Sequence, residues 1–195
     1  MKIAVVKYNA GNIRSVAFAL ERLNINYSIT DNHEEIRQAD KVIFPGVGEA
    51  SNTMKYLQDC NLDKVIKDLK QPVLGICLGM QLMCSFSEEN KTACLGIFEE
   101  PVKLFKPQKN EKVPHMGWNS LTLTNGWLDD KVNDQYVYFV HSYYVPVNPH
   151  TTAITEYILP FSSAMKKDNF YAVQFHPEKS STVGEKVLQS FLNKS

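Results

Sequence analysis

The first half of the chain alternates short apolar runs with segments of helical periodicity, and this alternation limits the possible folds more than any other pattern. The strand-like runs are KIAVVKY, NYSIT, KVIFPGVG and QPVLGIC. Runs that are apolar along their whole length indicate strands buried on both faces of a sheet. Helical segments follow each run, among them HEEIRQA, LDKVIKDLK and LGMQLMCSF. Repeated β-α units of this length predict a parallel sheet with right-handed crossover connections.

The second half has shorter strand-like runs that are separated by Asn, Gly, Pro and Asp. These runs are VKLFK, NSLTLT, QYVYFVHSYYV, HTTAITEYI and FSSAMKKDNFYAVQFH, and they predict antiparallel strands added to the same sheet. STVGEKVLQSFLNK predicts a closing amphipathic helix, with one apolar side formed by Val183, Val187, Leu188 and Phe191. We therefore expect one α/β domain over residues 1–195, with a mostly parallel central sheet flanked by helices.

Length, charge and cysteine pattern exclude several classes of protein. The 195 residues carry 21 basic and 21 acidic side chains, without the basic surplus that is typical of nucleic-acid binding. No run of 18 apolar residues occurs and the N-terminal apolar run is short, so we expect neither a membrane span nor a signal peptide. The four cysteines form no C-x-x-C pair and have no histidine at zinc-finger spacing. We therefore expect no metal, no other cofactor and a cytoplasmic protein with reduced thiols.

The stretch VLGICLGMQL places Cys77 between Gly75 and Gly79. G-x-C-x-G is the cysteine version of the nucleophile elbow, a tight turn from strand to helix that leaves no space for side chains at the flanking positions. Such a turn lifts the sulfur above the sheet edge at a helix N-terminus, where the helix dipole favours thiolate. The backbone N–H of Leu78 is the expected oxyanion donor. Taken alone, the pentapeptide fits a buried structural cysteine equally well.

A nucleophilic thiol needs a base, and YAVQFHPEKS supplies a candidate. His176 stands at a strand end, and Glu178 follows two residues later, on the same face of an extended segment. Pro177 favours extended geometry at His176. The glutamate would hold the imidazole tautomer and stabilise the imidazolium. An isolated H-x-E is more often a solvated turn, but its pairing with the elbow favours catalysis.

The turn FPGVGEA is the third candidate element of the site. Hydrolase chemistry uses two oxyanion donors, and the N–H of Val47 or Gly48 could be the second. In isolation, an ordinary strand-end turn is the better interpretation. The glycines at 46 and 48 also predict that the turn can rearrange when a partner binds.

The motifs GICLGMQ, HPE and PGVG, in this order and spacing, resemble those of the class I (triad-type) glutamine amidotransferases, and the resemblance covers nearly the whole chain. Within that family, PGVG and PHMGWN look like the motifs of the glutaminase subunits of imidazole glycerol phosphate synthases. AGNIRSV near the start and YFVHSYY at 138–144 are similar to the same subfamily.

The resemblance implies a mechanism. Cys77 would attack the side-chain amide of glutamine, and His176 would take the thiol proton and later deliver one to the leaving ammonia. Water would then hydrolyse a glutamyl thioester at Cys77 to glutamate. The resemblance also implies that glutamine is contacted by Gln81, Glu89, Ser142 and Tyr143. Each has a structural alternative: Gln81 could be a glutamine on a helix surface, Glu89 could belong to a solvated acidic stretch, and Ser142 and Tyr143 could be an ordinary strand end.

The sequence has no P-loop-type phosphate motif and ends at FLNKS, soon after the glutaminase-like motifs, so we expect the ammonia to be used elsewhere. The resemblance implies a heterodimer with a (βα)8-barrel cyclase, which would receive ammonia through a tunnel. The cyclase would make imidazole glycerol phosphate and the aminoimidazole carboxamide ribotide used in purine synthesis. Partner-facing positions would be Trp118, Asn119 and Lys179. Core packing is the alternative for Trp118.

The end of the first strand departs from the pattern common in this family. Members commonly carry Asp-Tyr-Gly before x-Gly-Asn, whereas this chain reads KYNAGN at residues 7–12. Asn tolerates positive φ better than most residues, so the turn is expected to survive the change at Asn9. Lys7 is expected to change a contact near the partner, and Asn12 to cap the following helix.

Other functions are compatible with parts of the sequence. A glutaminase could supply another acceptor, as in anthranilate or GMP synthesis, although PGVG and HMGWN argue against this. A non-catalytic binding module would leave Cys77 to packing, against which the intact Cys77, His176 and Glu178 weigh. A cysteine hydrolase of γ-glutamyl peptides would be active without a partner.

Overall fold

The computed structural model of the chain describes residues 1–8, 12–124 and 126–194. Within these ranges the helices are α1 Ile13–Arg22, α2 His33–Arg37, α3 Ala50–Asp59, α4 Leu62–Asp68, α5 Leu78–Met83 and α6 Ser181–Leu192. The strands of the first half are β1 Ile3–Val6, β2 Tyr27–Thr30, β3 Lys41–Phe44, β4 Val73–Ile76, β5 Phe86–Ser87 and β6 Thr92–Ala93. The later strands are β7 Pro101–Leu104, β8 His115–Ser120, β9 Thr122–Leu123, β10 Tyr136–His141, β11 Tyr143–Tyr144, β12 Thr151–Glu156, β13 Pro160–Lys167 and β14 Phe170–Val173.

The central sheet has the strand order β2-β1-β3-β4-β14-β13-β12-β9. The first five strands in this order are mutually parallel, and the remaining three are antiparallel to their neighbours. The predicted α/β fold with a mostly parallel central sheet is therefore confirmed. Strand β14 pairs with β4 in parallel, with Val173 opposite Ile76. The carboxyl ends of these two strands lie side by side, and the segments that follow them carry Cys77 and His176.

The expectation that all later strands join one sheet is wrong. Among the described residues β10 pairs only with β8, and a separate group has the order β11-β7-β5-β6. Along β10, Val137, Phe139 and His141 are buried whereas Tyr136 is exposed. Such period-two alternation fits a surface layer with one buried face, whereas the interior strands are buried at every position. The helix expected over LGMQLMCSF also ends early, at Met83, because the chain turns extended at Cys84.

Two apolar clusters cover the two faces of the central sheet. Alternate residues of β1 divide between them, with Ile3 and Val5 in one cluster and Ala4 and Val6 in the other. The first cluster includes side chains of α1 and α6, and the second includes side chains of α2, α3, α4 and α5. The predicted apolar side of the closing helix packs in the first cluster. Both faces of the sheet that carries Cys77 and His176 at its carboxyl edge are thus covered by packed side chains. In the described ranges no helix has the length and apolar content needed to cross a membrane.

Candidate active site

Cys77 lies in the turn between β4 and α5 with φ 52° and ψ −107°. This backbone conformation costs a non-glycine residue about 1–3 kcal/mol, and it turns the chain sharply from strand to helix. A Cβ on Gly79 would lie 2.0 Å from the carbonyl oxygen of Phe44, and one on Gly75 would lie 2.8 Å from Met83 Sδ. The flanking glycines are therefore required by the close approach of neighbouring chain. The sharp turn expected from G-x-C-x-G is present.

His176 and Glu178 form a buried pair on the adjacent segment, which begins a short 3-10 helix, Pro177–Lys179. Nδ1 of His176 lies 2.7 Å from Oε1 of Glu178, and both side chains are 1% exposed. The His176 backbone N–H donates to the carbonyl oxygen of Tyr138 at 2.9 Å, which ties this segment to β10. With Nδ1 facing the carboxylate, Nε2 is left as the nitrogen that can serve Cys77. Nε2 has no hydrogen-bond partner among the described residues.

Asn12 makes a contact that the sequence did not predict. Its Nδ2 donates to Oε1 of Glu178 at 2.5 Å, the same oxygen that faces His176. Asn12 does stand at the N-cap position of α1, but its side chain makes no capping hydrogen bond there. The expectation that it caps the helix is therefore wrong, and its amide instead orients the carboxylate. Residues 12 and 178 are 166 positions apart, so local sequence pattern carries no signal for this contact.

The surroundings of His176 stabilise its protonated form. Burial alone would lower the pKa of the imidazole, but the neighbouring Cys77 and Glu178 outweigh burial and raise the pKa to about 10, both through their charge and Glu178 also through its hydrogen bond. Cys77 is near enough to affect this pKa, although the geometry of Nε2 and Sγ falls short of a hydrogen bond. The pair Cys77 and His176 is thus suited to exchange a proton.

A cavity of about 370 Å³ opens over the elbow. It is lined by Val47, Gly48, Cys77, Leu78, Gln81, Glu89, Pro114, Val140, His141, Ser142 and Tyr143. Eight of these eleven are residues singled out in the sequence for the nucleophile, the oxyanion donors or glutamine binding. His176 and Glu178 lie behind Cys77 instead of in the cavity wall. The cavity is of the size that small-molecule sites have.

The oxyanion turn faces Cys77 in a conformation that occupies the expected donor. The N–H of Leu78 donates to the carbonyl oxygen of Gly46 at 3.3 Å. Gly48 has φ +123°, a value that side chains disfavour, and an added Cβ would meet no atom within 4 Å. Rotation of the peptide between Gly46 and Val47 would free the Leu78 N–H and turn the Val47 N–H towards the sulfur. Two donors could then converge on one oxygen.

Both ends of this turn are anchored. At the start, the hydroxyl of Tyr8 donates to the carbonyl oxygen of Pro45, and burial raises the pKa of Tyr8, so the phenol stays a neutral donor. At the end, the Ala50 N–H donates to Oε2 of Glu89 at 2.8 Å. Burial raises the pKa of Glu89, and the Ala50 bond opposes that shift. These two contacts hold the turn at residues 45 and 50.

Gln81 uses its amide nitrogen entirely within the protein. Nε2 donates to the carbonyl oxygen of Tyr143 and to Oε1 of Gln174, each at 3.0 Å. Because both N–H groups are engaged, the side chain can offer only its oxygen to the cavity. Gln174 was not singled out from the sequence.

A pair of neutral histidines supports the segment around Ser142. Nδ1 of His115 lies 3.1 Å from Nε2 of His141, and Nδ1 of His141 lies 2.8 Å from the carbonyl oxygen of Tyr143. Burial lowers the pKa of His115 to about 4 and that of His141 to about 3. A carbonyl only accepts, so His141 donates from Nδ1 and accepts from His115 at Nε2. PHMGWN and YFVHSYY contain these histidines, but neither was given a role from the sequence.

The residues predicted to face a partner divide into two groups. Trp118 is 53% exposed and stands opposite Tyr138 in the β8–β10 register, which excludes the core-packing alternative. Nζ of Lys179 lies 5.9 Å from the centre of the Tyr138 ring, on the same side. Asn119 does not join them, because its Nδ2 donates to the carbonyl oxygen of Glu156 at 2.8 Å.

The departure at Lys7 touches the site little. Lys7 is exposed and lies 3.9 Å from the Asp31 carboxylate, a surface pair of small energetic weight. Asn9 lies outside the described residues.

Comparison with known proteins gives three consistent results. The family described as glutamine amidotransferase class-I matches residues 4–195. The imidazole glycerol phosphate synthase subunit HisH of Bacteroides fragilis strain YCH46 is 60% identical over 194 residues, covering 98% of this chain and 99% of the relative. The HisH subunit of Blochmanniella floridana is 46% identical over 196 residues, again covering 98% and 99%.

Solved structures show the same fold at low identity. A crystal structure described as that of a glutamine amidotransferase has a TM-score of 0.73 at 16% identity, covering 97% of this chain and 96% of that chain. PurLQS from Thermotoga maritima has a TM-score of 0.69 at 16% identity, covering 98% and 97%. At such identities the likeness concerns the fold alone.

Proposed function

The chain belongs to the class-I glutamine amidotransferases, and we propose that it hydrolyses glutamine to glutamate and ammonia as the glutaminase subunit of imidazole glycerol phosphate synthase, in histidine biosynthesis. The observation that carries the chemistry is Cys77 at a strained elbow beside the buried His176–Glu178 pair. The pathway rests on relatives of that name that match the chain over nearly its whole length.

In the proposed reaction Cys77 attacks the side-chain carbonyl carbon of glutamine. His176 accepts the thiol proton at Nε2 and donates it to the leaving ammonia, while Glu178 holds Nδ1. The C–N bond breaks as the glutamyl thioester forms. Water then attacks the thioester, His176 removes its proton, and glutamate leaves with the sulfur restored. Rotation of the Gly46–Val47 peptide supplies the second oxyanion donor beside Leu78.

The cavity offers acceptors for the α-ammonium group of glutamine. Glu89 keeps one carboxylate oxygen free of the Ala50 bond, and Gln81 presents only its amide oxygen. An ammonium group donates three hydrogen bonds and accepts none, which matches this set. The segment at Ser142 and Tyr143 closes the same wall of the cavity.

The partner in this proposal is a (βα)8-barrel cyclase that binds as a heterodimer and receives the ammonia through a tunnel. Its docking surface includes the exposed side chains of Met116, Trp118 and Lys179 and the half-buried Tyr138. Trp and Tyr are frequent anchors of protein interfaces. The relatives are described as subunits, which agrees with a complex.

The remaining parts of the proposal concern organisation. Residues 1–195 form one amidotransferase domain, which the family match over 4–195 supports. The location is cytoplasmic, as the cysteine usage of the sequence predicts, and neither nucleic acid nor membrane is a partner.

The test measures glutamate release from glutamine with the cyclase and its ligand present. Cys77→Ala should abolish release, while the complex still makes product from an added ammonium salt at alkaline pH. Cys60→Ala, at a half-buried cysteine just after α3 that does not line the cavity, is the matched control and should keep activity. Unchanged release by Cys77→Ala would refute the mechanism.

Partner identity is tested by adding candidate synthases one at a time. Stimulation by the cyclase alone supports the pathway. Stimulation by an anthranilate or GMP synthase component would instead support another acceptor. Hydrolysis of γ-glutamyl peptides without any partner would contradict the subunit role.

A further inference from the structure

Gln174 lies beneath the floor of the cavity and touches the nucleophile. Its side chain is fully buried, and it is not among the residues that line the cavity. Nε2 of Gln174 lies 3.6 Å from Sγ of Cys77 and donates to it. The thiol has one other hydrogen-bonding neighbour, the carbonyl oxygen of Val140 at 3.9 Å, among the residues that the structure describes. Gln174 is thus a side-chain amide that donates directly to the sulfur.

The orientation of this amide follows from the groups behind it. The carbonyl oxygen of Tyr143 can only accept, so Gln81 must direct its nitrogen towards it. The same nitrogen donates its other hydrogen to Oε1 of Gln174. Since the oxygen of Gln174 faces Gln81, its nitrogen must face the sulfur. The carbonyl oxygen of Tyr143 therefore sets the orientation of Gln81, and Gln81 sets that of Gln174. As a result an N–H donor, and not an amide oxygen, faces Sγ of Cys77.

We propose that Gln174 is a positioning residue for the nucleophile, which holds Sγ of Cys77 by an N–H donor and stabilises negative charge on the sulfur, with its orientation imposed by Gln81. The inference rests on the proposed function insofar as it takes Cys77 as the nucleophile. A hydrogen bond to a charged group is stronger than one to the neutral group, so this donor favours thiolate over thiol. The alternative is that Gln174 merely satisfies the polar groups of a buried site.

The test measures alkylation of Cys77 by iodoacetamide in the full chain, without glutamine or partner, by peptide-resolved mass spectrometry. Gln174→Met keeps the length of the side chain and removes the donor. We expect alkylation to slow about tenfold at neutral pH, the loss that a donor to a charged group gives. In the complex, kcat for glutamine should fall by a similar factor with KM nearly unchanged. Cys60, a half-buried cysteine just after α3 that does not line the cavity, is the internal reference, because a distant change should not affect its rate.

Two more variants separate positioning from structure. Gln174→Glu is isosteric, guards against a variant that fails to fold, and should slow alkylation at least as much as Gln174→Met. Gln81→Glu removes the nitrogen that orients Gln174, so the Gln174 amide should turn and place its oxygen against the sulfur. Because glutamine is absent from the assay, lost substrate contact at Gln81 does not affect the result. Gln71→Met is the matched control, since it removes an amide that bonds the Ile36 carbonyl oxygen, away from the cavity wall.

Slower alkylation in all three variants, with Gln71→Met unchanged, supports the proposal. Wild-type alkylation in folded Gln174→Met or Gln174→Glu would overturn it. Slow alkylation in the Gln174 variants with a normal rate in Gln81→Glu would overturn the orienting role of Gln81. Failure of the glutaminase proposal would be distinguishable. In that case the wild-type complex would release no glutamate, while the alkylation rates would still differ as described.

Discussion

The two sides of Cys77 differ in their readiness for catalysis. On the base side, His176, Glu178 and Asn12 are joined by short hydrogen bonds in a buried setting. On the oxyanion side, the Leu78 N–H is occupied by the carbonyl oxygen of Gly46. One side of the proposed nucleophile is assembled, whereas the proposed oxyanion hole on the other side requires the Gly46–Val47 peptide to rotate.

The difference has a physical origin in how each side is built. The base side consists of buried side chains that lie against the sheet, where displacement would expose unpaired polar groups. The oxyanion side is a glycine-containing turn with a second cavity of about 240 Å³ beside it, lined in part by Tyr8, Val47, Gly48 and Thr53. A turn with space beside it can change conformation at small energetic cost. Control of the reaction is therefore expected at the turn and not at the triad.

The largest expected effect concerns the assembled side. Glu178→Gln removes a charge that raises the pKa of His176. We expect kcat of the complex to fall by about 100-fold or more, as is typical when general acid–base catalysis is impaired. The imidazolium is needed to protonate ammonia, so activity is lost as pH rises through the pKa of His176, which is about 10 in the unaltered chain. In the variant this alkaline limb should move to lower pH.

The measurement is the pH profile of kcat/KM for glutamine in the complex. Glu185→Gln is the matched control, because that carboxylate lies at the surface, 3.1 Å from Arg22. An alkaline limb that does not move in Glu178→Gln would show that the carboxylate does not set the protonation of His176.

The next largest effect concerns the movable side. Gly48→Ala places a side chain at φ +123°, with no atom within 4 Å to obstruct it. A side chain disfavours this backbone conformation, so the substitution changes the free energies of the observed and the rotated turn by different amounts. We therefore expect kcat to fall about tenfold and Tm to fall as well. Gly96→Ala is the matched control, since Gly96 has φ +70° and equally open surroundings but does not line the cavity. Gly96→Ala should lower Tm and leave kcat unchanged. If both variants lost kcat equally, the loss in Gly48→Ala would reflect reduced stability alone.

The smallest expected effect concerns an anchor of the turn. Tyr8→Phe removes the hydroxyl that donates to the Pro45 carbonyl oxygen and keeps the ring in the core. The observed turn loses one stabilising contact worth about 1 kcal/mol, so glutamine hydrolysis without the partner should rise about threefold to fivefold. The assay compares glutamate release with and without the cyclase. A fall in partner-free hydrolysis would mean that Tyr8 supports the rotated turn instead of the observed one.

The sequence predicted what depends on local geometry. G-x-C-x-G required a sharp turn because neighbouring chain leaves no space for a Cβ at Gly75 or Gly79, and that requirement is visible in five residues. H-P-E placed an imidazole and a carboxylate on one face because Pro177 restricts the chain. The parallel sheet followed from the alternation of apolar runs with helical segments.

What depends on distant packing was not predictable in the same way. Asn12 reaches Glu178 only because α1 packs beside the 3-10 helix that follows β14. The direction of the Gly46 carbonyl is not fixed by local sequence, because glycine admits more backbone conformations than other residues. The separate β8–β10 layer reflects which face of each strand the core covers. Gln174 lies within YAVQFHPEKS, but its amide is oriented towards Cys77 only through its contacts with Gln81 and, beyond it, Tyr143.

The strained backbone at Cys77 has a consequence for the balance between stability and activity. At φ 52° and ψ −107° this position favours glycine, so the chain would be under less strain there without its nucleophile. Selection for stability alone would remove the side chain that performs the chemistry. A cysteine at this position is therefore retained by selection for the reaction. Its replacement in a relative would be an early sign that the relative has lost the activity.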